Sequence, residues 1–184
     1  AAIGYAEHLG RSVELGIIRN HYVGRTFIEP SKKIRSFGVK LKLSPNKTLI
    51  KNKSIVLIDD SIVRGTTSVK IAKMMYEAGA KEIHLRIASP QIKFPDYYGV
   101  DTPDKNELLA TNKSLEEMRE FISVDSLNFL SVDGLYRAMG YKKRNNLYPE
   151  FTDHYFTGDY PVKPLDSSNQ KEEVQLSLLT PRSS

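Results

Sequence analysis

Two adjacent carboxylates follow a short apolar run at residues 54–60 (SIVLIDD). The hard oxygens of Asp59 and Asp60 can bind Mg²⁺, accept hydrogen bonds from the hydroxyls of a ribose, or cap the following turn. Behind them lies a loop of small residues, RGTTS at 64–68. Its hydroxyls, backbone N–H groups and Arg64 suit a phosphate that approaches the backbone closely.

The spacing of this loop indicates a class of ligand. No lysine follows Gly65, so the loop is not the nucleotide P-loop G-x-x-x-x-G-K-[ST]. A ribose with a 5′-phosphate fits better than a triphosphate, with its hydroxyls on the acids and its phosphate in the loop. Taken alone, an aspartate pair at the end of a strand is as consistent with a structural cap as with a ligand site.

The elements that must position these residues follow from the apolar pattern. The run SIVLI predicts a strand buried on both faces of a parallel sheet, and ligands bind outside the carboxyl ends of such strands. Residues 66–78 repeat apolar residues at helical spacing and end at Gly79, which predicts a helix. Further strands are predicted at 83–89 and 127–131. The pattern predicts an α/β fold with a central, mainly parallel sheet flanked by helices.

The remaining elements are shorter. We expect a helix over 1–9 that ends at Gly10, a strand through Val13, Leu15 and Ile17, and a long loop over 19–33. A turn-rich connection leads to residue 53, a capping box at Ser114–Glu117 starts another helix, and a short helix spans 132–139. The first helix has no N-cap. We therefore predict one domain over 1–163, incomplete at its N-terminus, and a disordered tail over 164–184.

Composition limits the class of protein. The chain has 184 residues, a net charge of +5 and no cysteine, which excludes disulfides, thiolate metal sites and a cysteine nucleophile. No membrane span or signal peptide is predicted, and we expect a cytoplasmic protein. Basic residues concentrate in the first 53 residues, where they can steer an anionic ligand or form a solvated face. They are not interleaved with aromatics, so nucleic acid is not an expected partner.

The motif VLIDDSIVRGTTS resembles the phosphoribosyl-pyrophosphate (PRPP) motif of type I phosphoribosyltransferases, and specifically that of the glutamine-dependent amidophosphoribosyltransferases. Before the motif, RNHYVGRTFIEP is similar to the mobile loop of that family, and after it AGAKEIHLRIASP is similar to the following strand. The segments FPDYYGVD, DSLNFLS and YFTGDYP are similar to later landmarks of the family, in the same order. The resemblance implies a type I phosphoribosyltransferase fold. It also implies that ammonia displaces pyrophosphate from PRPP to give 5-phosphoribosylamine, the first step of purine biosynthesis. The ammonia would come from a glutaminase domain that this sequence does not contain.

The resemblance also implies residue roles. The PRPP-binding residues would be Asp59, Asp60, Ser61, Arg64, Gly65, Thr66, Thr67 and Ser68, with Asp59 and Asp60 also binding Mg²⁺. A flexible catalytic loop carrying Arg19, Tyr22, Arg25 and Thr26 would close over PRPP. Some members hold an iron–sulfur cluster on cysteines near the positions of Asp96, Thr152 and Tyr155, so no cluster is expected here. The intact enzyme would be a homotetramer.

Other hypotheses stay open at this stage. The same site would serve a PRPP sensor without enzymatic activity. It would also serve a salvage phosphoribosyltransferase that uses a base, although no segment suits base recognition. An inert fragment is the third alternative. For this chain alone we expect impaired or absent glutamine-dependent activity.

Overall fold

The computed structural model describes residues 1–19, 43–99 and 104–162. The helices in these ranges are α1 (Ala2–His8), α2 (Lys47–Ile50), α3 (Thr66–Glu77), α4 (Leu109–Asn112), α5 (Leu115–Ile122), α6 (Val132–Ala138) and α7 (His154–Thr157). The strands are β1 (Ile17–Arg19), β2 (Leu43–Pro45), β3 (Ser54–Asp59), β4 (Glu82–Ile87) and β5 (Ser126–Phe129), and a 3₁₀ turn spans Lys105–Glu107. None of the described helices has the length and apolar character that crossing a bilayer requires.

Strands β3, β4 and β5 form a parallel sheet in that order. Ile83, Leu85 and Ile87 of β4 are buried beneath α3 and α5, where Met75 and Met118 join the same apolar core. The predicted α/β fold with a parallel sheet and flanking helices is therefore confirmed. The register pairs the last residues of β3 and β4, so the carboxyl ends of the strands meet at one edge of the sheet.

Local signals at the helix ends are confirmed as well. Ser114 Oγ accepts a hydrogen bond from the backbone N–H of Glu117 at 3.3 Å, and the Glu117 carboxylate accepts one from the N–H of Ser114 at 2.7 Å. This capping box starts α5 by satisfying two N–H groups that would otherwise lack acceptors. Gly79 follows α3 with φ +96°, and Gly140 follows α6 with φ +92°.

The prediction that the 54–58 run is buried on both faces is wrong for one face. Val56 is 50% exposed, and its side of the sheet also carries the polar side chains of His84 and Arg86. Among the described residues, β3 pairs only with β4, and Ser54 and Val56 on this face are exposed.

Two other boundaries differ from the sequence pattern. Val13 and Leu15 are exposed and not in a strand, because the antiparallel pairing with β2 begins only at Ile17 opposite Pro45. The turn-rich connection to residue 53 contains α2, whose Ile50 is buried in the core. The predicted tail at 164–184 and nearly all of the predicted loop at 19–33 lie outside the described residues.

Candidate functional site

Asp59 and Asp60 lie at the carboxyl end of β3, where the chain leaves the sheet. Asp59 Oδ1 accepts a hydrogen bond from the backbone N–H of Asp60 at 3.0 Å, and Asp60 Oδ1 accepts one from the N–H of Ser61 at 2.6 Å. These bonds fix both carboxylates against the start of the loop. No described residue donates to Oδ2 of either group, so both oxygens are available to a ligand.

The charge at this position is costly without a ligand. Burial raises the pKa of Asp59 above its ordinary value and the neighbouring carboxylate of Asp60 adds to the rise, although the N–H of Asp60 partly offsets both. A bound cation, or hydroxyl groups that donate hydrogen bonds, would stabilise the ionised form of Asp59. The oxygen donors fit Mg²⁺, which commonly binds one or two carboxylates and completes its shell with substrate phosphates and water. No group of three or more metal-ligating side chains occurs among the described residues, so phosphate and water would have to supply the other ligands.

The loop after the carboxylates leads into the N-terminus of α3. Gly65 is the N-cap residue with φ +73°, and no side chain caps the helix. The N–H groups of Thr66, Thr67 and Ser68 in the first turn therefore lack acceptors inside the helix, and with the positive end of the helix dipole they can bind an anion. This N-terminus follows Asp60 by only five residues, so both parts of the predicted site are on one short segment.

Two features of this position favour glycine. The positive φ is strained for residues with a Cβ. A Cβ would also stand 2.7 Å from Leu109 Cδ2 and 3.2 Å from Phe121 Cε1. The loop thus packs directly against α4 and α5.

Arg64 has a partner that the sequence did not predict. Its Nε donates to Glu107 Oε2 at 2.5 Å, and both side chains are about half exposed. The sequence suggested only that Arg64 would add positive charge near a phosphate. Glu107 was missed because it is 43 residues away along the chain and forms no motif with Arg64.

The structure brings the eight predicted PRPP-binding residues together at 59–68 but places little of the predicted catalytic loop. Arg19 is the last residue of β1, where it pairs with Leu43. Tyr22, Arg25 and Thr26 lie outside the described residues. Their roles stay predictions.

A second polar network, which the sequence analysis missed, fixes the C-terminal part of the described chain. The Arg144 guanidinium binds both oxygens of Asp153, at 2.6 and 3.0 Å, and also Asp159 at 2.7 Å. Burial alone would raise the pKa of Asp153, but hydrogen bonds from Arg144, Tyr136 and Thr157 hold it below its ordinary value. Since Tyr136 is on α6, the network anchors residues 144–159 to that helix.

A buried pair lies beside this network. His154 Nε2 is 2.7 Å from Asp96 Oδ1, and Tyr155 also interacts with Asp96. The structure thus brings together Asp96 and Tyr155, two of the three positions named for the cluster of some family members. Tyr98 and Tyr160, whose segments had no assigned role, pack around His154.

A cavity of about 300 Å³ opens beyond the carboxyl ends of β4 and β5. Pro90, Lys93, Leu130 and Phe156 are among the residues that line it, and none of residues 59–68 does. The carboxylates and the loop of residues 61–68, which we call the phosphate loop, lie at the same edge of the sheet but outside this cavity.

The chain is similar to known proteins over nearly all of its length. It is 59% identical to the amidophosphoribosyltransferase of Rhizobium etli over 180 residues, which are 97% of this chain and 36% of that protein. It is 55% identical to the chloroplastic amidophosphoribosyltransferase 2 of Arabidopsis thaliana, over 90% of this chain and 29% of that protein. No family model matches the chain.

Solved structures give the same result. The glutamine PRPP amidotransferase of B. subtilis, complexed with ADP and GMP, matches with a TM-score of 0.77 and 47% identity, over 91% of this chain and 36% of that one. A structure described as the allosteric regulatory enzyme of purine biosynthesis matches with a TM-score of 0.73 and 45% identity. The chain thus has the type I phosphoribosyltransferase fold of these proteins, and it spans about a third of the length of the relatives it matches.

Proposed function

Because the chain is homologous to amidophosphoribosyltransferases over about a third of their length, we propose that it is the phosphoribosyltransferase portion of such an enzyme. In this proposal it binds PRPP and contributes to the reaction with ammonia that yields 5-phosphoribosylamine and pyrophosphate. The observation that carries the proposal is the placement of two carboxylates, each with an available Oδ2, five residues before the uncapped N-terminus of α3.

The proposed roles follow from the chemistry of these groups. Asp59 and Asp60 accept hydrogen bonds from the ribose hydroxyls, while the N–H groups of residues 65–68 donate to the 5′-phosphate. During the reaction the bond from C1 to the pyrophosphate oxygen breaks and a bond from C1 to the ammonia nitrogen forms, after which that nitrogen loses a proton. The ribose ring becomes cationic as pyrophosphate leaves, and nearby carboxylates stabilise that positive charge. Bound Mg²⁺ would neutralise charge on the leaving pyrophosphate.

The proposal includes features of the intact enzyme. Ammonia would come from a glutaminase domain, the flexible loop with Arg19, Tyr22, Arg25 and Thr26 would close over PRPP, and the subunits would form a homo-oligomer. We also propose a cytoplasmic location, whereas the names of the plant relatives place those proteins in the chloroplast. The relatives favour ammonia over a purine or pyrimidine base as the acceptor, since those matched by sequence are named amidophosphoribosyltransferases.

Calorimetric titration of the full chain with ribose 5-phosphate, and with PRPP in the presence of Mg²⁺, tests the proposal. Asp59→Asn and Asp60→Asn should each weaken PRPP binding by about tenfold or more, since a hydrogen bond to a charged group is worth about 1.5–3 kcal/mol. Glu77→Gln, at the opposite end of α3, is the matched control and should bind as the unmodified chain does. If the unmodified chain binds neither ligand, or if both asparagine variants bind as tightly as it does, the proposal is wrong.

A further inference from the structure

Three consecutive residues of the phosphate loop contact one short segment of the chain. We call residues 105–109, which comprise the 3₁₀ turn, Leu108 and the first residue of α4, the support segment. The carbonyl of Val63 accepts a hydrogen bond from the N–H of Leu109 at 2.9 Å, Arg64 pairs with Glu107, and Gly65 packs against Leu109. The support segment therefore contacts each of the three residues that precede α3.

The pairing of Arg64 leaves part of its guanidinium available. Glu107 accepts a hydrogen bond only from Nε, and no residue in the described ranges accepts one from the two terminal nitrogens. A guanidinium can bind carboxylate and phosphate oxygens along different edges at the same time. Arg64 can thus keep its bond to Glu107 while its terminal nitrogens bind a second anion.

We propose that Glu107 is a positioning residue for the 5′-phosphate and acts through Arg64. This inference rests on the proposed function, because the phosphate loop must bind a sugar phosphate for it to hold. Glu107 orders the long arginine side chain before the ligand arrives. Ordering a flexible side chain opposes binding, so a side chain that is already held favours affinity. The ion pair is half exposed and adds little to the stability of the fold, so its effect should appear in binding.

Calorimetric titration of the full chain with ribose 5-phosphate at fixed pH and salt measures this effect. Glu107→Ala should weaken binding by about threefold to tenfold, the value of one immobilised long side chain. Glu107→Gln keeps an oxygen that accepts from Arg64 Nε and should stay within about twofold of the unmodified chain. The matched control is Glu116→Ala. It removes an exposed carboxylate of α5 that is bound to Arg119 at 2.6 Å, and it should leave the affinity for ribose 5-phosphate unchanged.

A double-mutant cycle separates positioning from a general effect of charge. In an Arg64→Met background, Glu107→Ala should have no further effect, because the side chain through which Glu107 acts is gone. The same loss in both backgrounds would overturn the inference. Unchanged or tighter binding by Glu107→Ala would also overturn it, and tighter binding would mean that Glu107 competes with the phosphate.

The two proposals fail in different ways. If the unmodified chain does not bind ribose 5-phosphate, the proposed function fails and this inference fails with it. If the unmodified chain binds and the Glu107 variants do not differ from it, only this inference fails. Circular dichroism of each variant verifies that the fold is kept.

Discussion

Substitution of Gly65 by alanine tests whether the shape of the phosphate loop depends on the close approach of α4. The left-handed conformation at φ +73° costs a residue with a Cβ about 1–2 kcal/mol. The new Cβ would also stand 2.7 Å from Leu109 Cδ2, and such overpacking costs about 1–3 kcal/mol. We therefore expect Gly65→Ala to lower the free energy of unfolding by about 2–5 kcal/mol in total.

Gly140→Ala is the matched control. Gly140 also has a positive φ, +92°, but a Cβ there meets no atom within 4 Å. It should lose only the conformational part, about 1–2 kcal/mol. Urea unfolding followed by circular dichroism measures both variants, since the chain has no tryptophan to report by fluorescence.

Binding gives a second measurement on the same variants. Gly65→Ala should weaken the binding of ribose 5-phosphate by about tenfold or more, because displacement of the N-cap residue removes at least one N–H donor from the phosphate. Gly140→Ala should bind normally. Equal losses of stability in the two variants would show that Leu109 moves away freely, and normal binding by Gly65→Ala would refute the account of the loop as a phosphate site.

Two further predictions concern the rest of the fold. Arg144→Met leaves Asp153 buried without a cation and should lower the free energy of unfolding in urea by about 3–5 kcal/mol. Arg119→Met breaks a more exposed ion pair and should lower it by less than about 1 kcal/mol. Similar losses in the two variants would contradict the prediction that the buried pair matters more for stability. Burial and the hydrogen bond to Asp125 raise the pKa of Tyr76 from 10.0 to about 12, so its contribution to stability is complete below pH 10 and is lost between pH 10 and about 12. The difference in unfolding free energy between the unmodified chain and Tyr76→Phe should therefore narrow between pH 10 and about 12. A constant difference up to pH 12 would show that the pKa of Tyr76 is not raised by folding.

The parts of the fold that the sequence predicted are those set by local pattern. Helix α3 has an apolar stripe and a terminal glycine, α5 has its capping box, and β4 alternates buried and polar residues. The aspartates and the phosphate loop are contiguous, so their proximity needs no knowledge of the tertiary structure.

The missed features depend on residues that are far apart in the sequence. The start of β1 is set by its pairing with β2, and the exposure of Val56 is set by what covers that face of the sheet. Glu107 meets Arg64 only because the segment after β4 returns to the carboxyl edge of β3. No spacing rule connects residues that are brought together in this way.

Stability and ligand binding should depend on different ion pairs in this protein. The Arg144–Asp153 pair has side chains only 9% and 3% exposed, so removal of one partner leaves a buried charge and affects mainly the free energy of unfolding. The Arg64–Glu107 pair is 53% exposed on both sides, and water replaces either partner at little cost. The phosphate loop can therefore lose Glu107 and still fold. Substitution of Glu107 should therefore change the affinity for the ligand without changing stability, as expected of a residue that positions a ligand. Substitution of Arg144 should change stability without changing affinity, as expected of a residue that maintains the fold.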